Sequence, residues 1–316
     1  MDEVKLSIIM TTYNARSVVE HSLASLEAQT IRKALEVIVV DSSTDGTAEL
    51  VAERFPAVQL YRFTQRKYCG DARNVGIAHA RSNLIAFLDA DCIADPTWAA
   101  EIIAAHHQAP HPLIGGTVDN ANPQHTVGWA HYFCEFSAWM PGSPQQEVEE
   151  VPGCALSLKR WAFERYGPFL MGRYCSDSAL HWKMARDGHQ PLLAPSIRIA
   201  HTNIEGLRAF LAHEVQHGRH FGTVRCQEQN FSLLKKGLYA LLSPLLPVLL
   251  FWRSARRIVR KHIYRQQFWR VAPLVLLGQS AWAYGEFLGY VASLRGGTIA
   301  TDDHTTATIE ERRSSP

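Results

Sequence analysis

Short apolar runs alternate with helix-spaced segments over the first ninety residues. Leu6-Ser7-Ile8-Ile9-Met10 is one such run, and it ends in polar Thr11-Thr12-Tyr13-Asn14. Residues 17–29 then place Val18, Val19, Leu23 and Leu26 at helical spacing. Val37-Ile38-Val39-Val40 is a second buried-strand run; it ends at Asp41 and leads into turn chemistry at 42–47. Residues 58–61 predict a third strand, 71–81 a helix and 84–88 a fourth strand. Fully apolar strands separated by helices predict a parallel sheet covered on both faces. Ligands of such sheets sit beyond the carboxyl ends of the strands. Here those ends carry residues 11–14, Asp41 and Asp89-Ala90-Asp91.

The middle of the chain is mixed. Residues 96–107, 159–166, 176–187 and 206–221 read as helices, and 154–158, 192–195 and 197–201 as extended. The aromatic residues at 129, 132, 133, 136 and 139 read as core packing or as an acceptor- or lipid-facing surface. The composition then changes. Residues 237–252 are apolar, 253–270 hold seven Arg or Lys and no acid, and 271–294 are apolar again. Residues 296–316 are polar and read as a disordered tail. The expected division is an α/β domain at 1–230, a membrane-associating helical region at 231–295 and the tail at 296–316.

Composition narrows the function classes. A 47% hydrophobic, 20% charged chain excludes a disordered or fibrous protein. A net charge of +2 leaves no electrostatic reason for a nucleic-acid partner. Six cysteines without a C-x-x-C pair favour free thiols in a reducing compartment. The opening Met1-Asp2-Glu3-Val4-Lys5 lacks a signal-peptide pattern, so the catalytic part is expected in the cytosol.

No G-x-G-x-x-G follows Met10 and no G-K-[ST] is present, so a phosphate-bearing ligand must be neutralised another way. Asp89-Ala90-Asp91 offers two alternate carboxylates at a strand end, able to share one divalent ion. In their order the motifs closely resemble family 2 inverting glycosyltransferases of the GT-A fold, over residues 5–225. The resemblance rests on 7–14, on 38–47, on 70–78 ahead of 86–91, on 153–160 with Gly167-Pro168-Phe169, and on Ser176-Asp177 before a helix.

The resemblance implies an α/β, Rossmann-like, mostly parallel sheet flanked by helices, with the apolar helical region after it. It implies a nucleotide-sugar donor, with a UDP-sugar the usual case, and a sugar or lipid-linked acceptor. Thr11 and Tyr13 would contact the nucleotide, Tyr13 near the base, and Asp41 would accept a hydrogen bond from the base. Ser42 stands where many relatives carry a second acid. Arg73 would approach the diphosphate. Asp91 would bind Mn2+ or Mg2+, with Asp89 near the ribose or the metal and His201 a further metal or diphosphate ligand. Asp177 would be the general base, placed where free helix N–H groups stabilise a carboxylate. A plain N-cap at Ser176 or Asp177 is the competing reading, and Ser176 replaces the family's usual acid.

Two other enzyme classes compete. His213-Glu214-Val215-Gln216-His217 matches H-E-x-x-H, a zinc metalloprotease signature. The α/β opening is unlike such an enzyme. A nucleotidyltransferase of similar fold would want a Gly-rich basic loop, and residues 10–16 contain no glycine. A non-catalytic sugar-binding module would not need Asp89, Asp91 and Asp177 together.

The C-terminal third points to a membrane surface. Residues 237–252 number 16, with Pro244 and Pro247, and fall short of a span of about 20. Residues 271–291 are long enough but contain Gln279 and Glu286. If the first segment crossed, the seven cations would lie outside, against the positive-inside rule. Peripheral or re-entrant helices on the cytoplasmic face of the inner membrane fit better, with a two-span hairpin and a soluble helical cap as the alternatives.

Overall fold

The computed structural model describes residues 4–296, so the expected tail lies outside the described residues apart from Gly296. In chain order the elements are β1 (Leu6–Thr12), α1 (Val19–Glu27), β2 (Leu35–Asp41), α2 (Thr47–Arg54), β3 (Gln59–Arg62), α3 (Cys69–His79), β4 (Leu84–Phe87), β5 (Cys92–Ala94), α4 (Trp98–Gln108), β6 (Leu113–Asn120), α5 (Thr126–Phe136), β7 (Gln146–Glu147), β8 (Leu156–Lys159), α6 (Arg160–Tyr166), α7 (Ser176–Arg186), β9 (Leu192–His201), α8 (Leu207–Glu228), α9 (Leu233–Leu242), α10 (Leu246–Lys261) and α11 (Arg265–Leu294). They form two compact units. Among the described residues, one holds 4–119 with Pro144–His201 and the other holds Asn120–Ser143 with 202–296.

The first unit is an α/β sheet in the order β3-β2-β1-β4-β8-β6-β9-β5, with β7 beside β9. The four strands expected from the apolar runs are parallel, β1 lying between β2 and β4. The later strands add antiparallel pairs, β8 on β4 and on β6, and β5 on β9. Two of them escape sequence reading. β5 is only three residues long. In β6, Gly115-Gly116 interrupts the apolar run, and a Cβ there would meet Val151 Cβ at 2.3 Å and the Ile197 carbonyl at 2.4 Å. Glycine there admits neighbouring chain where a side chain would block it.

Burial explains why these runs are strands. Ile9, Ile85, Phe87, Leu156, Leu158, Phe169 and Leu180 form one buried cluster, and each such side chain contributes about 1.5–3 kcal/mol from apolar burial. Gly76 lets α3 settle on Ile9, whose Cγ2 would stand 2.5 Å from an added Cβ. One charge is taken into this core. Glu36 accepts from Ser7 Oγ at 2.6 Å, Arg81 Nε at 2.6 Å and Gln59 Nε2 at 2.8 Å. Burial works to raise its pKa, but the hydrogen bonds from Ser7, Arg81 and Gln59 outweigh it and the net shift is downward. A buried carboxylate so satisfied fixes the register of β1, β2 and β3.

The second unit is helical. α8 and α11 lie backbone to backbone along a glycine seam. A Cβ on Gly218 would meet the Trp282 carbonyl at 2.2 Å, and one on Gly285 the Val215 carbonyl at 2.1 Å. Gly222 and Gly289 continue the seam against Glu286 and Arg219. The aromatic run of α5 is core: Tyr132 and Phe133 are fully buried, and Phe133 meets Phe268 of α11 edge to face. Glu286 is held by Trp282 Nε1 at 3.2 Å, by Tyr290 and by Arg225 at 3.7 Å, which explains an acid inside an apolar helix.

Among the described residues, one helical stretch, Leu233–Lys261, is long and apolar enough to cross a membrane by length and composition. It is 29 residues, longer than the 16 expected, because Pro244 and Pro247 sit in the first turns of helical segments. There proline removes only N–H groups that have no partner anyway. Leu234, Leu241, Val248 and Trp252 on this stretch are exposed.

Candidate active site

The ends of β1, β2 and β4 carry the first group of side chains. Thr12 pairs in register with Asp41, and Thr12 Oγ1 donates to the Asp41 carboxylate at 2.6 Å. Ser43 donates to the same carboxylate from Oγ at 2.6 Å and from its N–H at 3.1 Å. Asp41 is thus buried and held by its neighbours. Thr11 lies 3.6 Å from Cys69 Sγ at the start of α3. Tyr13 is 42% exposed, an uncommon position for a large ring, with the Arg66 guanidinium 4.2 Å from its centroid. An exposed ring backed by a cation is a stacking platform for a flat base.

Arg73 joins the second group. It is buried to 2% exposure, and its Nη2 donates to Asp89 at 3.1 Å and to the Gly153 carbonyl at 2.9 Å. Its guanidinium lies 4.9 Å from the Phe87 ring centroid. Burial acts to lower the Arg73 pKa, but Cys69, Asp89 and Asp177 raise it on balance, so it stays charged. Burial pushes the Asp89 carboxyl up in spite of Arg73. Asp177, in the first turn of α7, completes the group: a Cβ on Gly153 would stand 2.4 Å from Asp177 Oδ2 and 3.0 Å from Arg73 Nη1.

The third group forms where β5 meets β9. Cys92 and His201 are register partners, and His201 Nε2 lies 3.4 Å from Asp91 Oδ2. Burial alone would lower the His201 pKa, but Asp91, with help from Cys154 and Asp89, raises it to about 9. Asp91 in turn is lowered by His201, against the effect of burial. Asp91, Cys92 and His201 present ligand atoms within 4.8 Å of one another. A carboxylate and an imidazole suit Mn2+ or Mg2+ assisted by ligand phosphates. Burial raises the Cys92 thiol well above its ordinary pKa, and Sγ donates to Asp91 Oδ1 at 3.7 Å. Cys92 therefore orients Asp91 as a thiol. All six cysteines are free.

Thus Arg73, Asp89 and Asp177 come together around Gly153, Asp91 meets His201, and Thr12 and Ser43 enclose Asp41. Sequence reading missed Gly153, Cys92 and His181 as members. His181 is fully buried one turn along α7 from Asp177, and neither ring nitrogen has a hydrogen-bond partner among the described residues. Burial lowers its pKa to about 4 although Asp177 opposes this, so the ring is neutral. The i, i+4 spacing from Asp177 is the sequence signal that could have found it.

Known proteins resemble the chain at this point. The family described as "Glycosyl transferase family 2" matches residues 7–163. The glycosyltransferase AglE of Haloferax volcanii is 28% identical over 189 residues, 58% of this chain and 61% of the relative. The Escherichia coli UDP-Glc:alpha-D-GlcNAc-diphosphoundecaprenol beta-1,3-glucosyltransferase WfgD is 34% identical over 94 residues, 29% of this chain and 37% of the relative. The chain thus spans less than two thirds of the length of these curated relatives. A mannosyltransferase of Pyrobaculum calidifontis, solved with GDP-Man and Mn2+, superposes with a TM-score of 0.55 at 19% identity, over 94% of this chain and 76% of that one. That likeness gives the fold, GT-A.

Proposed function

The chain belongs to glycosyltransferase family 2, and from that premise we propose that it moves a sugar from a nucleotide-sugar donor, a UDP-sugar, to an acceptor hydroxyl with inversion. The process is synthesis of a cell-surface polysaccharide or glycolipid, with a sugar or lipid-linked acceptor. The observation that carries this reading is the convergence of Asp89, Arg73 and Asp177 around Gly153, beside the Asp91–His201 pair. A screen of radiolabelled sugar nucleotides with Mn2+ or Mg2+ tests it, and the anomeric configuration of the product tests inversion.

The chemistry assigned to each residue follows from its place. Tyr13 stacks on the base while Thr11 and Asp41 border the nucleoside. Asp91 and His201, with Asp89 beside them, would hold a divalent cation, which would supply positive charge to the departing diphosphate. Arg73 sets its charge between Asp89 and Asp177. Asp177 accepts the proton of the acceptor hydroxyl as that oxygen bonds to the anomeric carbon and the bond to the diphosphate breaks. Attack on the face opposite the leaving group inverts the centre. Base identity is the least constrained part, since WfgD is named for UDP-Glc and the solved neighbour holds GDP-Man.

Three consequences can be measured. Gly153→Ala should leave the fold intact but push Asp177 and Arg73 aside, since a Cβ has no room there. Turnover should fall roughly 10²-fold, the usual effect of misplacing a reacting group by about 1 Å. The cation site should also sense pH. His201 must lose its proton to bind a metal, and it keeps that proton up to about pH 9. Affinity for Mn2+ should therefore rise about tenfold per pH unit below that value. In His201→Ala the slope should vanish; calorimetry across pH decides.

The third consequence concerns the membrane. The exposed Leu234, Leu241 and Val248 support a reading in which α9 and α10 lie on the cytoplasmic face of the inner membrane. Arg253, Arg256 and Arg260 are exposed beside Trp252, where they would meet anionic headgroups. Arg257 and Lys261 instead donate to Ser137, and Lys261 also to Ser143. Changing the first three to Gln should weaken flotation with anionic vesicles by about 1 kcal/mol per charge, most at low salt. Equal flotation on neutral and anionic vesicles would reject the electrostatic part.

A further inference from the structure

A second cluster, in the helical unit, is unused by the proposed transfer. His131 and Glu135 stand four apart on α5, and His213 and His217 four apart on α8. Residues so spaced share one helix face. His131, Glu135 and His213 bring ligand atoms within 4.8 Å of one another. Glu135 Oε1 is 3.3 Å from His217 Nδ1 and 3.7 Å from His213 Nε2. With metal–ligand bonds of about 2.0–2.1 Å, the edges of a tetrahedral site are roughly 3.3–3.4 Å. Two edges are therefore nearly in place without a metal.

The surroundings hold these side chains in place. His131 Nδ1 lies 3.2 Å from Asn203 Oδ1 and 3.3 Å from the Ile204 backbone N–H, so that nitrogen is occupied and Nε2 is the one that can face an ion. Asn203 is itself fixed, its Nδ2 donating to Asn120 Oδ1 at 2.9 Å and its N–H to Asn122 Oδ1 at 2.9 Å. The outer nitrogen of a metal-binding histidine is characteristically anchored in this way. The Trp282 ring of α11 stands 4.6 Å from His217, closing that side. Glu214 is 1% exposed and interacts with Glu135, and its Oε1 has no hydrogen-bond partner among the described residues.

We propose that His131, Glu135, His213 and His217 bind one zinc-class divalent ion that ties α5 to α8. Three imidazoles with one carboxylate suit zinc better than Mg2+ or Mn2+, which prefer a mostly oxygen ligand set. With His217 turning in from Glu135 as the fourth ligand beside the three already gathered, no position is left open, so the site is structural, and the H-E-x-x-H match marks a zinc clamp without peptidase chemistry. The assignment does not rest on the transferase reading, since none of its residues belongs to the sheet unit that holds Asp91 and His201.

Untagged full-length protein, stripped with a chelator, should take up one Zn2+ per chain by elemental analysis and calorimetry. Co2+ should give the intense visible bands of a tetrahedral ion, a test that needs no variant. Zinc should raise the melting temperature of the wild type. Asp91→Asn should keep all of this. His213→Ala and the milder His217→Gln should lose the cobalt bands and weaken zinc binding more than about 100-fold, beyond the loss of an outer partner. No stoichiometric zinc, a weak octahedral cobalt spectrum, or binding lost with Asp91→Asn and kept in His213→Ala would each overturn the proposal.

Discussion

Asp91→Asn should abolish sugar transfer and the cation-dependent part of nucleoside diphosphate binding while leaving the fold intact. The side chain is partly exposed, with no apolar packing to lose, and Asn has nearly its shape. What disappears is a charge 3.4 Å from His201 that the proposed cation would share. A bound cation supplies several kcal/mol of transition-state stabilisation, so the loss should reach about 10³-fold or more. Calorimetry with UDP and Mn2+ is the direct measurement; an unchanged affinity in the variant would remove Asp91 from the metal site.

Asp177→Asn should separate chemistry from binding. An amide cannot accept the acceptor proton, so turnover should fall by about 10²–10⁴, the range for loss of a general base. The Asn side chain still fits against Gly153, where the space is filled by Asp177 Oδ2. Donor affinity should barely move, because the donor is assigned to Thr11, Tyr13, Asp41, Arg73, Asp89, Asp91 and His201 and not to Asp177. Collapse of donor binding with normal turnover of bound donor would show that Asp177 serves the donor and another group is the base.

Local pattern carried much of this architecture. β1 to β4 are continuous apolar runs with helical spacing between them, and the candidate site is built from the ends of β1, β2 and β4. The Asp89-Ala90-Asp91 motif was legible because it follows such a run. What could not be read depends on partners distant in sequence. β6 looks like an interrupted apolar run until Val151 and Ile197 fill the space its glycines leave. The Cys92–His201 pairing spans more than a hundred residues and is set by antiparallel register. Gly153 is invisible as a site residue until Asp177 and Arg73 close on it. In His213-Glu214-Val215-Gln216-His217 the motif was plain, but its companions His131 and Glu135 lie on another helix, so sequence gave only half of the cluster.

The glycine seam between α8 and α11 also dictates an order of events during synthesis. α5 leaves the ribosome long before α11 exists, yet its Phe133 is buried against Phe268 of that last helix. α8 likewise waits, because Gly218 and Gly222 offer no side chains and gain contact only from the returning backbone. The nascent chain must therefore carry an unfinished helical unit while the sheet strands on either side of α5 are already made. Exposed apolar helices of that kind are what chaperones and membranes capture. A stop codon a few turns early in α11 should therefore yield aggregated or degraded protein, even though every strand of the sheet has been translated.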